Sequence, residues 1–157
     1  MTDTQSDLPS WMGQIRAVLF DMDGTLLDSE PLTEDAIRLL LQSRGLELEL
    51  DCHQFHGVTW RSIAQTLREA APELDGVDVE DELQACFFQS LLSSDPPPIP
   101  GAPEAVRAAS ARLKTAVVSS SDRASIDHVV VRLGVDEGLD QIVSAEDCER
   151  SKPDPQC

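Results

Sequence analysis

The sequence predicts an α/β protein: a small parallel sheet with a block of helices inserted after its first strand. Three observations predict it. The apolar run of residues 17–20 stops at Asp21 and Gly24, as a short buried strand bounded by turn residues does. Two further short runs, residues 115–118 and 141–143, each follow a stretch of helical periodicity, the alternation that builds a parallel sheet. Between Asp28 and Ser94 no strand pattern occurs, and Pro-containing breaks bracket that block on both sides.

Taken in order, residues 1–15 are polar, contain Pro9 and read as a mobile tail. They have neither a basic lead-in nor an apolar run, so a signal peptide or membrane span is not expected there. Strand one covers residues 16–20. Ser29 and Pro31 then read as a helix N-cap and a first-turn proline. Leu32, Ala36, Leu39 and Leu40 recur at helical spacing, and Gly45 stops that helix. A second helix is predicted over residues 59–71, with Ile63, Leu67 and Ala70 on one face. A third spans residues 79–92, with Val79, Leu83, Phe87 and Leu91 in line. Residues 94–101 hold four prolines and predict a stiff, extended return strap. A helix over 102–113, a strand over 115–118, a helix over 125–133 ending at Gly134, and a strand over 141–143 follow. The organisation is therefore a core of residues 16–29 and 97–157, with a helical insertion at 30–96.

The chain carries 29 acidic and 12 basic residues, a formal charge of −17. Such acidity argues against nucleic acid or an anionic membrane as partner. Four cysteines form no CxxC pair, and reduced thiols in a cytoplasmic protein are the expectation. Only two lysines occur, Lys114 and Lys152.

The chemistry concentrates where strands end. In open parallel sheets the C-terminal mouth of the strands is the ligand site. Strand one delivers Asp21 and Asp23 there, with Gly24 supplying the sharp turn. Two neighbouring carboxylates repel and raise one pKa unless a cation joins them. A hard divalent ion such as Mg²⁺ takes oxygen ligands of this kind. One carboxylate can then attack phosphorus while the other moves a proton. Strand two ends in Ser119, Ser120 and Ser121, hydroxyl donors suited to phosphoryl oxygens. The amides that open the next helix add to an anion nest. Lys152 can serve as a point charge for phosphate and for a carboxylate.

The run Phe-Asp-Met-Asp-Gly-Thr-Leu-Leu-Asp-Ser, residues 20–29, resembles the first motif of the haloacid dehalogenase-like hydrolases. It is most similar to their sugar-phosphatase and β-phosphoglucomutase branch. Ser119 resembles the second motif and Lys152, in Ser-Lys-Pro-Asp-Pro, the third. The resemblance implies a Rossmann-like core with an α-helical cap formed by residues 30–96. It implies Asp21 as phosphoryl-accepting nucleophile and Asp23 as general acid and base. Thr25, Ser119, Ser120 and Lys152 would bind phosphate, and Asp21 and Asp23 would hold Mg²⁺. Thr59 and Arg61, in the stretch 56–61 similar to the branch's specificity loop, would touch the substrate. The implied substrate is a small phosphorylated metabolite, with an aspartyl-phosphate intermediate. A phosphomutase using the same four residues is the alternative, and an impaired fragment that only binds an anion or a partner is a third reading. The cap contains no lysine, which disfavours Schiff-base chemistry.

The family pattern continues past its third motif to an acidic fourth motif that completes the metal site. Nothing follows Cys157 here, so the core is expected to be truncated to about three strands. Asp122 and Asp147 would be the nearest substitute ligands. Weak Mg²⁺ binding and poor turnover are the corresponding expectations. Strand one would form the sheet's edge and favour self-association.

Overall fold

The computed structural model describes residues 13–55, 58–150, 152 and 154–156. Most of the predicted tail therefore lies outside the described residues, as do His56 and Gly57 of the specificity-loop stretch. Strands β1 (Ala17–Phe20), β2 (Lys114–Val118) and β3 (Gln141–Val143) form one parallel sheet in the order β1-β2-β3. Helices α1 (Glu30–Ser43), α2 (Trp60–Ala70) and α3 (Val79–Ser94) come between β1 and β2, followed by α4 (Ala102–Ser110). Helix α5 (Arg123–Leu133) joins β2 to β3.

Most helix ends follow from local chemistry. Thr59 accepts a hydrogen bond from the Ser62 amide at the start of α2 (3.3 Å), and Asp122 accepts one from the Ser125 amide at the start of α5 (2.9 Å). Gly134 closes α5 in the left-handed conformation, with φ of 61°. Helix α4 ends at Ser110, short of the predicted Leu113, because the next residues turn to deliver Lys114 into β2.

The register puts Phe20, Val117 and Ile142 side by side on one face of the sheet. Val117 is fully buried there beside Val106 and Ile126, with Phe20 and Ile142 packed against the same cluster. That apolar cluster runs on through Met22, Leu26 and Leu27 to the helices of the insertion. In the insertion α3 packs against both α1 and α2. Leu40 of α1, Leu67 of α2 and Leu83 of α3 are each fully buried. Burying a leucine side chain contributes about 1.5–3 kcal/mol, so these faces hold the block together.

Two strands of chain connect the block to the sheet, and they run side by side. The Asp28 amide donates to the Pro97 carbonyl and the Ile99 amide to the Leu26 carbonyl, both at 3.0 Å. Leu27 and Pro98 form an antiparallel bridge between them. The proline tract is thus extended, as its composition predicts. Helix α3 reaches Ser94 and ends on Asp95, whose φ of 48° is left-handed.

One expectation needs correction. The run of residues 17–20 reads as a buried strand, yet Leu19 is 67% exposed. The reason is position: β1 lies at the sheet's edge, and Leu19, Ala116 and Gln141 share the face opposite Phe20. Among the described residues no strand pairs with the outer side of β1, and an apolar edge of this kind invites pairing with another chain. We propose that a second copy occupies this flank. Leu19→Lys is expected to move sedimentation velocity profiles toward monomer, and an unchanged concentration dependence would remove the flank from the contact.

The cysteines also differ from expectation. Cys52 and Cys86 are free thiols, whereas Cys148 is disulfide-bonded. No helix among the described residues is long and apolar enough to cross a membrane.

Candidate active site

The turn after β1 aims both carboxylates the same way. The Met22 side chain is fully buried and anchors the turn from within. Its carbonyl accepts hydrogen bonds from the amides of Thr25, Leu26 and Leu27, at 3.2, 2.8 and 3.2 Å. Gly24 takes φ of 68°, and the Glu30 carboxylate lies 3.4 Å from where a Cβ would stand. A side chain at this position would meet backbone strain. Asp21 and Asp23 flank Met22 and line a common cleft.

Asp21 faces the only lysine near it among the described residues. Lys152 Nζ donates to Asp21 Oδ1 at 2.5 Å and to the Val118 carbonyl at 3.1 Å. The second contact ties the lysine to the end of β2, so the third motif is held against the first. Both side chains remain partly exposed, at 43% for Asp21 and 37% for Lys152, which leaves them open to a ligand.

Asp23 is enclosed by hydroxyls. Ser29 Oγ donates to its Oδ1 at 2.7 Å. Ser121 and Ser119 donate to its Oδ2 at 2.8 and 3.2 Å. Ser119 in turn accepts from the Ser121 amide at 3.0 Å, which fixes the direction of its hydroxyl. Burial raises the Asp23 pKa above the ordinary carboxylate value. The hydrogen bonds from Ser29 and Ser121 oppose the rise, and the nearby Asp21 charge adds to it. A carboxyl group so placed is suited to holding a proton and giving it up.

The cleft beside these groups has a volume of about 130 Å³. Ser120, Ser121 and Lys152 stand with the aspartates on its sheet side, and Thr59 lines it from the insertion. Other predicted site residues fall elsewhere. Ser119 is buried and turned onto Asp23, behind the cleft lining. Thr25 is exposed and gives no lining atom, because the turn directs it away. Arg61, expected beside Thr59, is 77% exposed and paired with Glu80 at 3.5 Å, one helical step off the cleft.

Ser29 holds the N-cap position that the sequence assigns it, but its side chain has another partner. Standing before Glu30 and Pro31, it reads as the cap of α1, yet its side chain makes no capping bond. Its hydroxyl goes to Asp23 instead. The available signal was a buried-core polar residue six positions from an aspartate, which spacing alone does not distinguish from a cap. Trp60, Phe55 and Phe87 also line the cleft, and helical periodicity assigned Phe87 only to packing.

The donor set can be tested against Mg²⁺. Among the described residues no group of three or more His, Cys, Asp or Glu side chains is placed to hold a metal. Asp122 accepts from the Ser125 amide and hydroxyl at 2.9 and 2.6 Å. Asp147 accepts from the Ser144 amide and hydroxyl at 2.9 and 2.8 Å. Both are committed to turns and supply no substitute ligand. The carboxylate of Asp21 lines the cleft as a hard oxygen donor, and the family resemblance adds the backbone carbonyl of Asp23. They suit an ion that keeps most of its coordination as water.

The haloacid dehalogenase-like hydrolase family model matches residues 15–157. The chain belongs to that family. It is 31% identical over 149 residues to the phosphorylated carbohydrates phosphatase of Thermotoga maritima, covering 90% of this chain and 67% of that protein. It is 29% identical over 144 residues to fructose-1-phosphate phosphatase YqaB of Escherichia coli, covering 88% of this chain and 73% of that protein. Among solved structures, CbbY from Rhodobacter sphaeroides in complex with xylulose-(1,5)bisphosphate shares the fold, with a TM-score of 0.71 and 21% identity. That match covers 88% of this chain and 67% of the other. The chain thus spans about two thirds of the length of these proteins.

Proposed function

We propose that the chain carries the phosphoryl-transfer site of a phosphatase acting on a small phosphorylated metabolite, with a sugar phosphate as the best-supported class. The carrying observation is the convergence of Lys152 on Asp21 beside an Asp23 held by three hydroxyls. Phosphatase relatives support the substrate class.

In this reading the steps use the residues that the cleft brings together. Asp21 attacks phosphorus with the carboxylate oxygen that Lys152 does not hold. The bond from phosphorus to the leaving oxygen breaks, and Asp23 gives that oxygen its proton. Water then attacks the phosphorus of the aspartyl-phosphate, Asp23 takes the water's proton, and the bond from phosphorus to the Asp21 oxygen breaks, freeing Asp21 and releasing phosphate. Lys152 and the Ser120 hydroxyl would hold the phosphoryl oxygens, the charge stabilisation on which phosphoryl transfer chiefly depends. When bound, Mg²⁺ would be held by the Asp21 carboxylate and the Asp23 carbonyl and would offset charge on the phosphoryl group. A cytoplasmic setting belongs to the same reading.

The test is phosphate release from p-nitrophenyl phosphate and from hexose monophosphates across a Mg²⁺ titration. Release is expected to be slow, to vanish with chelator, and to climb into the millimolar Mg²⁺ range. Release indifferent to chelator would remove the metal from the mechanism. No release at any Mg²⁺ concentration would remove the phosphatase activity of this chain. Isomerised sugar phosphate in place of free phosphate would assign a mutase.

A further inference from the structure

We infer that Arg132 is a positioning residue: by gripping the Asp95–Pro96 junction it holds the helical insertion, and with it the apolar wall of the cleft, over the sheet-side carboxylates. The inference rests on the phosphatase reading only for the use to which the cleft is put.

Two junctions join the insertion to the sheet, Ser29 before α1 and Asp95 after α3. The second is built from an unexpected residue. Asp95, at φ of 48°, is the one non-glycine with positive φ among the described residues. Gly24, Gly45, Gly76, Gly101 and Gly134 hold the other such positions. Glycine adopts this conformation at least cost, and a side chain persists there only where its surroundings hold it. Packing does not account for the choice, because the Asp95 side chain is 80% exposed. Its contact with Arg132 does. Arg132 Nε stands 2.6 Å from Asp95 Oδ1, and Arg132 Nη2 donates to the Pro96 carbonyl at 2.5 Å. One guanidinium fork therefore holds a side chain and the backbone of the next residue, which the single ammonium of a lysine does not reproduce.

The grip reaches the cleft through α3. Phe88 of α3 meets His128 of α5 edge to face, with 6.3 Å between ring centroids and an inclination of 88°. Phe88 and Asp95 are two helical turns apart, and His128 and Arg132 are one turn apart, so one side of α3 lies along one side of α5. Helix α5 is itself tied to the core, since Arg107 of α4 donates to the Leu133 carbonyl at 2.7 Å. Phe87, next to Phe88, lines the cleft and meets Trp60 edge to face at 5.3 Å. Asp21, Asp23 and Lys152 line the same cleft from the sheet. Fixing the end of α3 on α5 thus fixes the aromatic wall above the carboxylates. Without the Arg132 contact, α3 keeps its packing on α1 and α2, but the block loses an anchor on the core.

Trp60 reports on the wall, being 8% exposed where the insertion sits as described. The sequence holds one other tryptophan, Trp11, and Trp11→Phe isolates the Trp60 signal. In that background Asp95→Gly removes the carboxylate while relieving the backbone, so the fold is expected to survive. Arg132→Glu sets two like charges against each other. Both are expected to raise acrylamide quenching of Trp60 by about two- to fivefold, as the loss of a partly exposed ion pair shifts an equilibrium. Asp95→Asn tolerates the same backbone and keeps an acceptor oxygen, so its rise should be smaller. The thermal midpoint of Asp95→Gly should stay near the parent's, which separates a shift of the insertion from loss of fold. Unchanged quenching in both Asp95→Gly and Arg132→Glu would overturn the inference, as would a rise in Asp95→Asn equal to that in Asp95→Gly. Phosphate release from a hexose monophosphate, measured in parallel, judges the phosphatase reading separately. With turnover, the variants should raise KM more than they lower kcat. Raised quenching with no turnover in any chain would uphold the positioning role and count against the catalysis.

Discussion

Asp21→Asn is expected to abolish turnover and the labelled phosphoenzyme, a loss on the order of 10⁴-fold or more, in line with removal of a covalent nucleophile elsewhere. The reason is electronic. A carboxylate oxygen carries the charge needed to attack phosphorus, and a carboxamide oxygen does not. The substitution is close to isosteric, and the side chain is 43% exposed, so no buried packing is disturbed. Lys152 loses its ionic partner but keeps the Val118 carbonyl. The fold should therefore survive, and thermal unfolding near that of the parent chain is the control. Acid-quenched incorporation of label from a phosphoryl donor is the measurement. Label retained in the Asn variant would place the covalent step on another residue.

The difference between what the sequence showed and what it hid is physical. Strand ends and glycine stops are local, and so the residues of β1, the turn at Gly24 and the end of α5 at Gly134 were legible. Asp21 and Lys152 were legible for another reason: they stand in long, specific motifs, and their meeting at 2.5 Å follows from the sheet order. Arg61 was not placed correctly, because a helix face is chosen by what the neighbouring helix offers, here Glu80 at 3.5 Å. The side-chain partner of Ser29 was hidden for a similar reason. A serine before a helix can cap it or turn elsewhere, and the choice rests on the tertiary position of Asp23, six residues earlier. The apolar wall was hidden as well. Phe87 repeats at core spacing in α3 and is 2% exposed, yet it reaches the edge of the cleft. Burial and ligand contact share one pattern when a site is lined by the core itself.

Asp23→Asn should separate the two halves of the reaction by leaving group. The three hydroxyls around Asp23 can rotate to serve an amide, so the side chain should keep its place. What it loses is the proton. An alkoxide leaving group needs that proton as the bond to phosphorus breaks, whereas p-nitrophenolate leaves without it. First-turnover release of alcohol from an alkyl or sugar phosphate is therefore expected to slow by a factor of ~10²–10⁴. First-turnover release of p-nitrophenolate should change far less. Both variants of the experiment are read in a single turnover, because Asp23 also activates water in the second half and steady-state rates would mix the two effects. The upward direction of the Asp23 pKa, caused chiefly by burial, agrees with this assignment. Equal slowing with both leaving groups would mean that Asp23 orients the substrate and does not protonate it. An unchanged rate with the sugar phosphate would take the acid role away from Asp23, despite the three hydroxyls that surround it.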